Sequence, residues 1–250
     1  MSRTAIMAAM PEELQALLDR MPDEERQRHG GREFWLGHLE GRDVVVVLSR
    51  IGKVAAATTA ALLAERFGAS QLVFTGVAGG LADDVQVGDV VIGRRFIQHD
   101  FDASPIFPRY EVPYYGRAVF DADEAISARL RAAAEAVLVE AARHLGETAV
   151  ANYGLLAKRC HEGLVASGDR FVSTDAESRR LRQELPEALA VEMEGAAVAQ
   201  VCHDLGIPFG MVRTISDRAD DSAHVDFPAF LRDVASRYSA AIVSRYLSLN

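Results

Sequence analysis

The clearest succession of secondary structure in this chain lies in residues 188–221, ALAVEMEGAAVAQVCHDLGIPFGMVRTISDRADD. The pattern predicts a strand over Leu189–Met193, a helix from Glu194 to about Leu205, and a second strand over Phe209–Ile215. Strands that alternate with helices in this way are typical of α/β folds with parallel sheets.

Three carboxylates lie where these predicted elements begin or end, namely Glu192, Glu194 and Asp217. Each has a structural explanation, because the helix dipole favours an acid at a helix N-terminus and an aspartate can cap a turn. Open α/β sheets, however, bind ligands just outside such strand ends. Several carboxylates in one crevice are also costly unless something there uses them. We therefore treat this stretch as part of a candidate active site.

Length and composition limit the class of protein. The 250 residues suit one α/β domain over residues 1–250, or less readily two small ones, and 49% hydrophobic with 25% charged residues is an ordinary globular composition. A net charge of −9 argues against nucleic acid or an anionic membrane as a partner. Cys160 and Cys202 form no disulfide framework or zinc motif, and the apolar-rich residues 54–63 are too few to cross a bilayer. We expect a soluble cytoplasmic protein.

The rest of the chain alternates between predicted strands and helices, which implies a layered α/β fold with a largely parallel sheet. The continuous run VVVVL, residues 44–48, predicts a strand covered on both faces. Further strands are predicted over Thr4–Ala9, Asn152–Leu156 and Gly163–Ser167. Helices are predicted from Pro11 and over Val54–Phe67, Asp121–Leu145 (with Asp121 and Glu124 as a capping box), Asp175–Glu184 and Phe227–Leu247, the last of which closes the chain. The segments between them are predicted to include a polar surface loop over Met21–Gly31, a glycine-rich turn over Thr75–Gly80 and a long ordered loop over Gln98–Arg117.

Several reaction classes lack their motifs. The segment Thr75–Gly80 is neither G-x-G-x-x-G nor a P-loop, which argues against a nicotinamide or nucleoside-triphosphate site. No G-x-S-x-G elbow supports acyl transfer. The run His99-Asp100-Phe101-Asp102 contains metal-ligand side chains, but we interpret them as loop acids. Near the N-terminus, Pro11 and the acids Glu12 and Glu13 suit the first turn of a helix. We consider a catalytic role for this segment only because it too follows the end of a predicted strand.

Together these motifs resemble those of the 5′-methylthioadenosine/S-adenosylhomocysteine nucleosidases, within the nucleoside phosphorylase and nucleosidase superfamily. The similarity extends nearly from end to end, in the strings AAMPEEL, SRIGKVAAA, TGVAGGLADDVQVGDVV, QHDFDAS, VASGDRF, VEMEGAAVAQVC and VRTISDRAD. VEMEG and ISDRAD, separated by one helix and one strand, are the most discriminating pair. The resemblance implies an α/β fold, a three-layer αβα sandwich around a central mixed, largely parallel sheet.

The resemblance also assigns roles to three acids. Glu13 positions the attacking water, Glu194 grips the ribose hydroxyls, and Asp217 donates a proton to purine N7. The chemistry agrees, because an acid neutralises the leaving base while a carboxylate activates water on the opposite face of the sugar. Asp217 must then hold a proton near neutral pH. No metal and no organic cofactor is implied.

A pocket lining and an assembly follow from the same resemblance. Phe171 stacks near adenine, and Glu192 contacts the ribose or orients its neighbours. The implied substrate-binding positions are Met10, Ile51, Val77, Ala78, Gly79, Phe171, Val172, Glu192, Met193, Arg213, Ser216 and Phe227. The family is typically dimeric, with the loop matching Gln98–Arg117 helping to close the neighbour's 5′-alkylthio pocket. We therefore expect a homodimer that acts on a small adenosyl nucleoside.

The predicted reaction is hydrolysis of the N-glycosidic bond of 5′-methylthioadenosine and S-adenosylhomocysteine, with 5′-deoxyadenosine as a further candidate. The first alternative is a purine nucleoside phosphorylase. Glu13 would repel phosphate, whereas Arg50, which stands where glycine is common, could attract an anion. The others are a nucleosidase for a related compound such as aminodeoxyfutalosine, and a non-catalytic nucleoside-binding protein. Val77 replaces a serine of some members and removes one hydroxyl contact.

Overall fold

The computed structural model describes residues 3–219 and 227–249. Its strands are β1 (Arg3–Ala8), β2 (Glu25–His29), β3 (Arg32–Leu39), β4 (Arg42–Leu48), β5 (Ala69–Gly80), β6 (Val90–Gln98), β7 (Val119–Asp121), β8 (Cys160–Ser167), β9 (Ala188–Glu192) and β10 (Phe209–Asp217). Its helices are α1 (Pro11–Leu18), α2 (Lys53–Glu65), α3 (Glu124–Val139), α4 (Ala141–Leu145), α5 (Glu147–Asn152), α6 (Asp175–Glu184), α7 (Gly195–Leu205), α8 (Phe227–Phe230) and α9 (Ser236–Ser248), with a π-helical turn (Leu231–Ala235) between the last two. Over these two ranges, no helix is both long and apolar enough to cross a membrane.

The described strands form one mixed sheet. Parallel pairs join β4 to β1, β1 to β5, β5 to β10, β6 to β8 and β8 to β9. Antiparallel pairs add β2, β3 and β7 and join β10 to β6. The end of β5 also pairs with β9, so that β5, β10, β6, β8 and β9 form a closed ring. The register places Gly79 opposite both Asp217 and Val191, and the carboxyl ends of three strands therefore meet.

Helices cover both faces of this sheet. On β1, Ile6 and Ala8 face a core that includes α1, α3 and α9, whereas Ala5 and Met7 face a core that includes α2 and α7. The run 44–47 of β4 alternates between the same two cores, so the predicted burial of this strand on both faces is confirmed. Side chains of successive strand residues point to opposite faces, and a strand between two helical layers must therefore be apolar throughout. The predicted three-layer α/β fold is confirmed.

Two segments predicted as irregular are strands. The predicted loop Met21–Gly31 contains β2, whose five residues are all exposed and pair with β3. Because neither face of β2 is covered, its sequence lacks the apolar alternation that would have revealed it. The predicted turn Thr75–Gly80 is the end of β5, where small residues let neighbouring strands approach closely.

The predicted helix over Asp121–Leu145 is wrong at its start and is interrupted. Asp121 ends strand β7, and helix α3 begins only at Glu124. The predicted capping box is replaced by Asp123, whose Oδ1 accepts a hydrogen bond of 2.9 Å from the backbone N–H of Ile126. The helical path breaks after α3, before α4.

The predicted strand over Asn152–Leu156 is also wrong, because Asn152 ends helix α5 and a turn follows. A short apolar run does not distinguish a strand from a buried helix end. Gln98–Arg117 is a loop after the end of β6, as predicted, with one isolated bridge between Val112 and Arg117. The predicted closing helix is present as α8, the π-helical turn and α9.

Candidate active site

A pocket opens where the ends of β5, β9 and β10 meet. The space between its walls, with the open solvent at its mouth included, is about 740 Å³. The described residues that line it are Ala9, Met10, Ile51, Val77, Ala78, Gly79, Arg170, Phe171, Val172, Val191, Glu192, Met193, Glu194, Ser216, Asp217 and Phe227. Of the fifteen predicted site residues, Glu13 and Arg213 are fully buried outside this lining, and the others all belong to it.

Asp217 lies at the end of β10 above the backbone of β5. Its Oδ1 accepts a hydrogen bond of 2.7 Å from the backbone N–H of Ala219, and its Oδ2 accepts one of 2.8 Å from the Ser216 hydroxyl. A Cβ placed on Gly79 would lie 2.9 Å from Asp217 Oδ1. The absence of a side chain at Gly79 is therefore what allows this carboxylate to reach the pocket.

Glu192 is held by the protein itself. Its carboxylate accepts hydrogen bonds from the Ser167 hydroxyl and from the backbone N–H groups of Glu194 and Gly195, the last at 2.9 and 3.0 Å to its two oxygens. Arg213 Nη2 donates to Glu192 Oε2 at 2.7 Å. Four donor groups leave this carboxylate little capacity for a ligand. Of its two predicted roles, the geometry favours orienting its neighbours.

Arg213 is a fully buried cation behind the pocket. Besides its ion pair with Glu192, its Nη2 lies 3.9 Å from Glu194 Oε2, and its guanidinium carbon lies 4.1 Å from the centre of the Phe74 ring. A Cβ on Gly76 would come within 2.7 Å of Nη1. This arginine neutralises two adjacent carboxylates that would otherwise be unstable in the interior.

Glu194 precedes helix α7 and is nearly buried. The backbone N–H of Gly52, just before α2, donates to Glu194 Oε1 at 2.9 Å. Burial, together with the charge of Glu192, raises the pKa of Glu194 to about 7, although Arg213 opposes the shift. Its carboxylate is thus the less stabilised of the pair and can take further donors from a ligand.

Glu13 lies in the first turn of α1 and is fully buried, whereas the adjacent Glu12 is exposed. Its Oε2 accepts a hydrogen bond of 3.0 Å from the backbone N–H of Met10, and the Ser239 hydroxyl donates to Oε1 at 3.3 Å. Burial raises the pKa of Glu13, and the positive charge of Arg213 works against this rise. An acid that only stabilised the helix dipole would not need such burial.

Comparisons with known proteins agree with this architecture. Residues 3–248 match the family model described as the phosphorylase superfamily. The chain belongs to this superfamily. It is similar to a 5′-methylthioadenosine/S-adenosylhomocysteine nucleosidase from Neisseria meningitidis in complex with methylthio-immucillin-A, at 33% identity over 99% of both chains and a TM-score of 0.86.

Two further structures bear on the reaction class. A Streptococcus pneumoniae MTA/SAH nucleosidase in complex with 8-aminoadenine is 32% identical over 100% of both chains, with a TM-score of 0.85. A futalosine hydrolase of Helicobacter pylori is 31% identical over 98% of this chain and 97% of that one, with a TM-score of 0.83. These similarities support a nucleosidase of the phosphorylase superfamily, that is, an N-glycosyl hydrolase.

The mouth of the pocket is largely apolar. Ile51 is 59% exposed and Phe171 is 48% exposed, and these two side chains belong to loops on different parts of the sheet. Arg50 is not among the described lining residues, since its guanidinium donates to the carbonyl of Gly31 on the surface. Its φ of 65° lies in the left-handed region, which explains why glycine would suit this position.

Sequence reasoning missed three of the lining residues, Ala9, Arg170 and Val191. Each adjoins a predicted site residue along the chain, and this adjacency was the available signal. Arg170 forms an ion pair with Glu177 of α6. In residues 3–219 and 227–249, no group of three or more His, Cys, Asp or Glu side chains is placed to hold a metal ion.

Proposed function

We propose that this protein hydrolyses the N-glycosidic bond of 5′-methylthioadenosine and S-adenosylhomocysteine, releasing adenine and the 5′-thioribose, with 5′-deoxyadenosine as a further candidate. The observation that carries the proposal is that Glu194 and Asp217 line one pocket. Glu13 is buried behind the lining residue Met10, from whose backbone N–H it accepts a hydrogen bond, and the charge of Arg213 acts on it. The proposal is also supported by the similar nucleosidases, whose complexes contain adenine-like and methylthio ligands.

In the proposed reaction, Asp217 donates a proton to N7 of adenine as the bond from C1′ to N9 breaks. The oxygen of a water molecule forms the new bond to C1′, and Glu13 accepts the water's proton. Positive charge builds up on the sugar in the transition state, and the nearby Glu194 carboxylate stabilises it while accepting hydrogen bonds from the ribose hydroxyls. The Ser216 hydroxyl and the Ala219 N–H fix the orientation of Asp217.

Substrate shape is proposed to be recognised by the apolar lining. Phe171 would stack near adenine, next to the backbone of Val172, and Met10, Ile51 and Phe227 would contact the 5′-alkylthio group. A thioether is itself apolar and polarizable, so it gains from such walls more than a free hydroxyl does.

The phosphorylase alternative needs a cation for phosphate on the attacking side. Among the described lining residues, Arg170 is the cation, and it is paired with Glu177. Arg213 is paired with Glu192, and Arg50 points towards Gly31. These pairings favour water as the nucleophile. A nucleosidase for a related compound such as aminodeoxyfutalosine would use the same acids, and similarity to a futalosine hydrolase keeps it as the second candidate.

The test is adenine release from a panel of 5′-substituted adenosines, with and without phosphate. We expect phosphate-independent release, fastest for 5′-methylthioadenosine or S-adenosylhomocysteine. Asp217→Asn should lower kcat by about 10²–10⁴-fold, because a general acid is lost, with little change in substrate binding. Asp83→Asn, at an exposed aspartate, is the matched control. A strict phosphate requirement, or unchanged turnover in Asp217→Asn, would refute the proposal.

We also propose a single domain, a homodimer and a cytoplasmic location. The loop Gln98–Arg117 supports the dimer, because it presents Ile106 at 82% and Tyr114 at 96% exposure. The ring of Tyr114 lies 5.7 Å from that of Phe107, next to Ile106 in the chain, and adjoining apolar side chains that are exposed are typical of interaction surfaces.

A further inference from the structure

Two loops that line the pocket, and one loop that contacts both of them, are joined by side chains outside the pocket lining. The first loop carries Ile51 and leads into α2 at Lys53; the second follows β6 and contains Asp100; the third follows β8 and carries Asp169 and Phe171. Ile51 and Phe171 lie on opposite loops of this group and both line the pocket. The relative position of these loops therefore sets the shape of the mouth.

Lys53, Asp100 and Asp169 form a closed ring of hydrogen bonds. Lys53 Nζ donates to Asp100 Oδ1 at 2.6 Å, and the backbone N–H of Asp169 donates to Asp100 Oδ2 at 2.8 Å. The backbone N–H of Lys53 donates to Asp169 Oδ1 at 2.7 Å, which closes the ring. Asp169 thus caps the N-terminus of α2 from a distant part of the chain, where the helix dipole favours its charge.

The ring is connected to Glu194 and to helix α7. Gly52, which precedes Lys53, donates its backbone N–H to Glu194 Oε1 at 2.9 Å. Lys53 Nζ also donates to Gln98 Oε1 at 3.0 Å, and Gln98 Nε2 donates to Gln200 Oε1 of α7 at 2.9 Å. A displacement of Lys53 would therefore move both the pocket mouth and a hydrogen-bond donor of Glu194.

The Lys53–Asp100 pair is shielded enough to matter energetically. Their side chains are 15% and 30% exposed, which is less than in most of the ion pairs that the described residues form. Burial alone would raise the pKa of Asp100, but the hydrogen bonds from Lys53 and Asp169 outweigh it, and the pKa lies below its ordinary value. Charge-assisted hydrogen bonds of this kind are shorter and stronger than neutral ones.

We propose that Lys53 and Asp100 are positioning residues that hold the Ile51 and Phe171 loops at the separation required for ligand binding. They act through Asp169 and Gly52 and do not touch the ligand. As a statement about substrate affinity, the inference rests on the proposed nucleosidase function. Adenine binding tests it separately.

The experiment compares Asp100→Ala, Lys53→Met and the double variant with the wild-type protein. KM for 5′-methylthioadenosine and the Kd of adenine are measured, the latter by calorimetry. We expect each single change to raise both by about tenfold, the equivalent of about one charge-assisted hydrogen bond. kcat should change less than about threefold, and the double variant should be little worse than either single one, because both remove the same ring. Lys53→Arg, which keeps the cation, should restore most of the affinity.

Asp43→Ala is the matched control, because it breaks the Arg3–Asp43 ion pair at the opposite end of β1 and β4. It should lower the melting temperature without changing KM. If Asp100→Ala behaves in the same way, losing stability but not affinity, the ring is only structural and the inference is wrong. The wild-type protein could bind adenine, with about tenfold weaker binding in the ring variants, and yet hydrolyse no nucleoside. In that case the inference stands and the proposed function fails. If it neither hydrolyses a nucleoside nor binds adenine, both fail.

Discussion

Replacing Arg213 by methionine should destabilise the protein strongly. The change removes a cation 2.7 Å from Glu192 Oε2 and 3.9 Å from Glu194 Oε2, and the side chains of Arg213, Glu192 and Glu194 are 0%, 2% and 6% exposed. Breaking a buried ion pair by removing one partner costs about 3–5 kcal/mol, because the other charge stays in the interior. For a chain of this size that loss corresponds to a fall in Tm of about 6–20 °C.

The stability lost in Arg213→Met should depend on pH in a defined direction. Without Arg213, the pKa of Glu194 rises further in the folded protein, because this cation no longer opposes the effects of burial and of the neighbouring Glu192 charge. A carboxyl group with a raised folded pKa binds a proton more readily when folded, and so stability falls as pH rises between the unfolded and folded pKa values. The deficit of Arg213→Met should therefore be largest at pH 8 and smaller at pH 5.

Urea unfolding at both pH values measures this deficit. Glu192→Gln in the Arg213→Met background is the control, because it removes one of the stranded charges and should recover part of the lost stability. A deficit below about 1 kcal/mol at pH 8, or one that is the same at pH 5, would show that the two carboxylates do not depend on this cation.

Two further changes test the carboxylates themselves. Gly79→Ala places a Cβ 2.9 Å from Asp217 Oδ1 and should lower kcat by about 10²-fold, because it displaces that carboxylate. Gly80→Ala, whose Cβ has its nearest contacts at 3.3 Å, should lower kcat less. Equal losses of kcat in steady-state assays of the two variants would contradict this reasoning. Glu194→Gln should stabilise the unliganded protein at pH 8, because the pKa of Glu194 is raised from 4.5 to about 7. The gain in free energy of unfolding should vanish below about pH 4.5, where the unfolded chain is protonated as well. If urea unfolding shows a gain that does not vary with pH, the pKa of Glu194 is not raised.

The fold could be predicted wherever burial leaves a periodic trace in the sequence. The run 44–48 is apolar throughout because helices cover both faces of β4, and α6 was predicted with the bounds that the structure has. β2 left no such trace, since all five of its residues are exposed and backbone pairing with β3 defines it. The sequence predicts a turn over Thr75–Gly80, but these residues end β5, and the close approach of Asp217 and Ala219 requires a glycine at Gly79.

The sequence predicted which residues line the site better than it predicted which residues contact one another there. The family strings indicated most of the lining, but nothing near Glu13 in the sequence indicates that Ser239 of the last helix contacts it. The Lys53 ring was missed for the same reason, since its hydrogen bonds join residues 47, 69 and 116 positions apart. The run His99-Asp100-Phe101-Asp102 predicts loop acids, and nothing in it indicates that Asp100 accepts hydrogen bonds from Lys53 and from Asp169.

The difference between Glu192 and Glu194 shows why spacing alone does not assign function. The two acids are two residues apart, yet Glu192 ends a strand inside a shell of four donors. Glu194 instead precedes a helix, and its carboxylate accepts hydrogen bonds from the backbone N–H groups of Gly52 and Met193. A carboxylate whose lone pairs are occupied acts as an internal anchor, and one with a pKa raised to about 7 gains most from new donors. A ribose diol supplies two adjacent hydroxyl donors. Under the proposed function, Glu194 is therefore the acid whose burial a nucleoside would compensate, while Glu192 holds the Glu194 backbone through its N–H and is itself paired with Arg213.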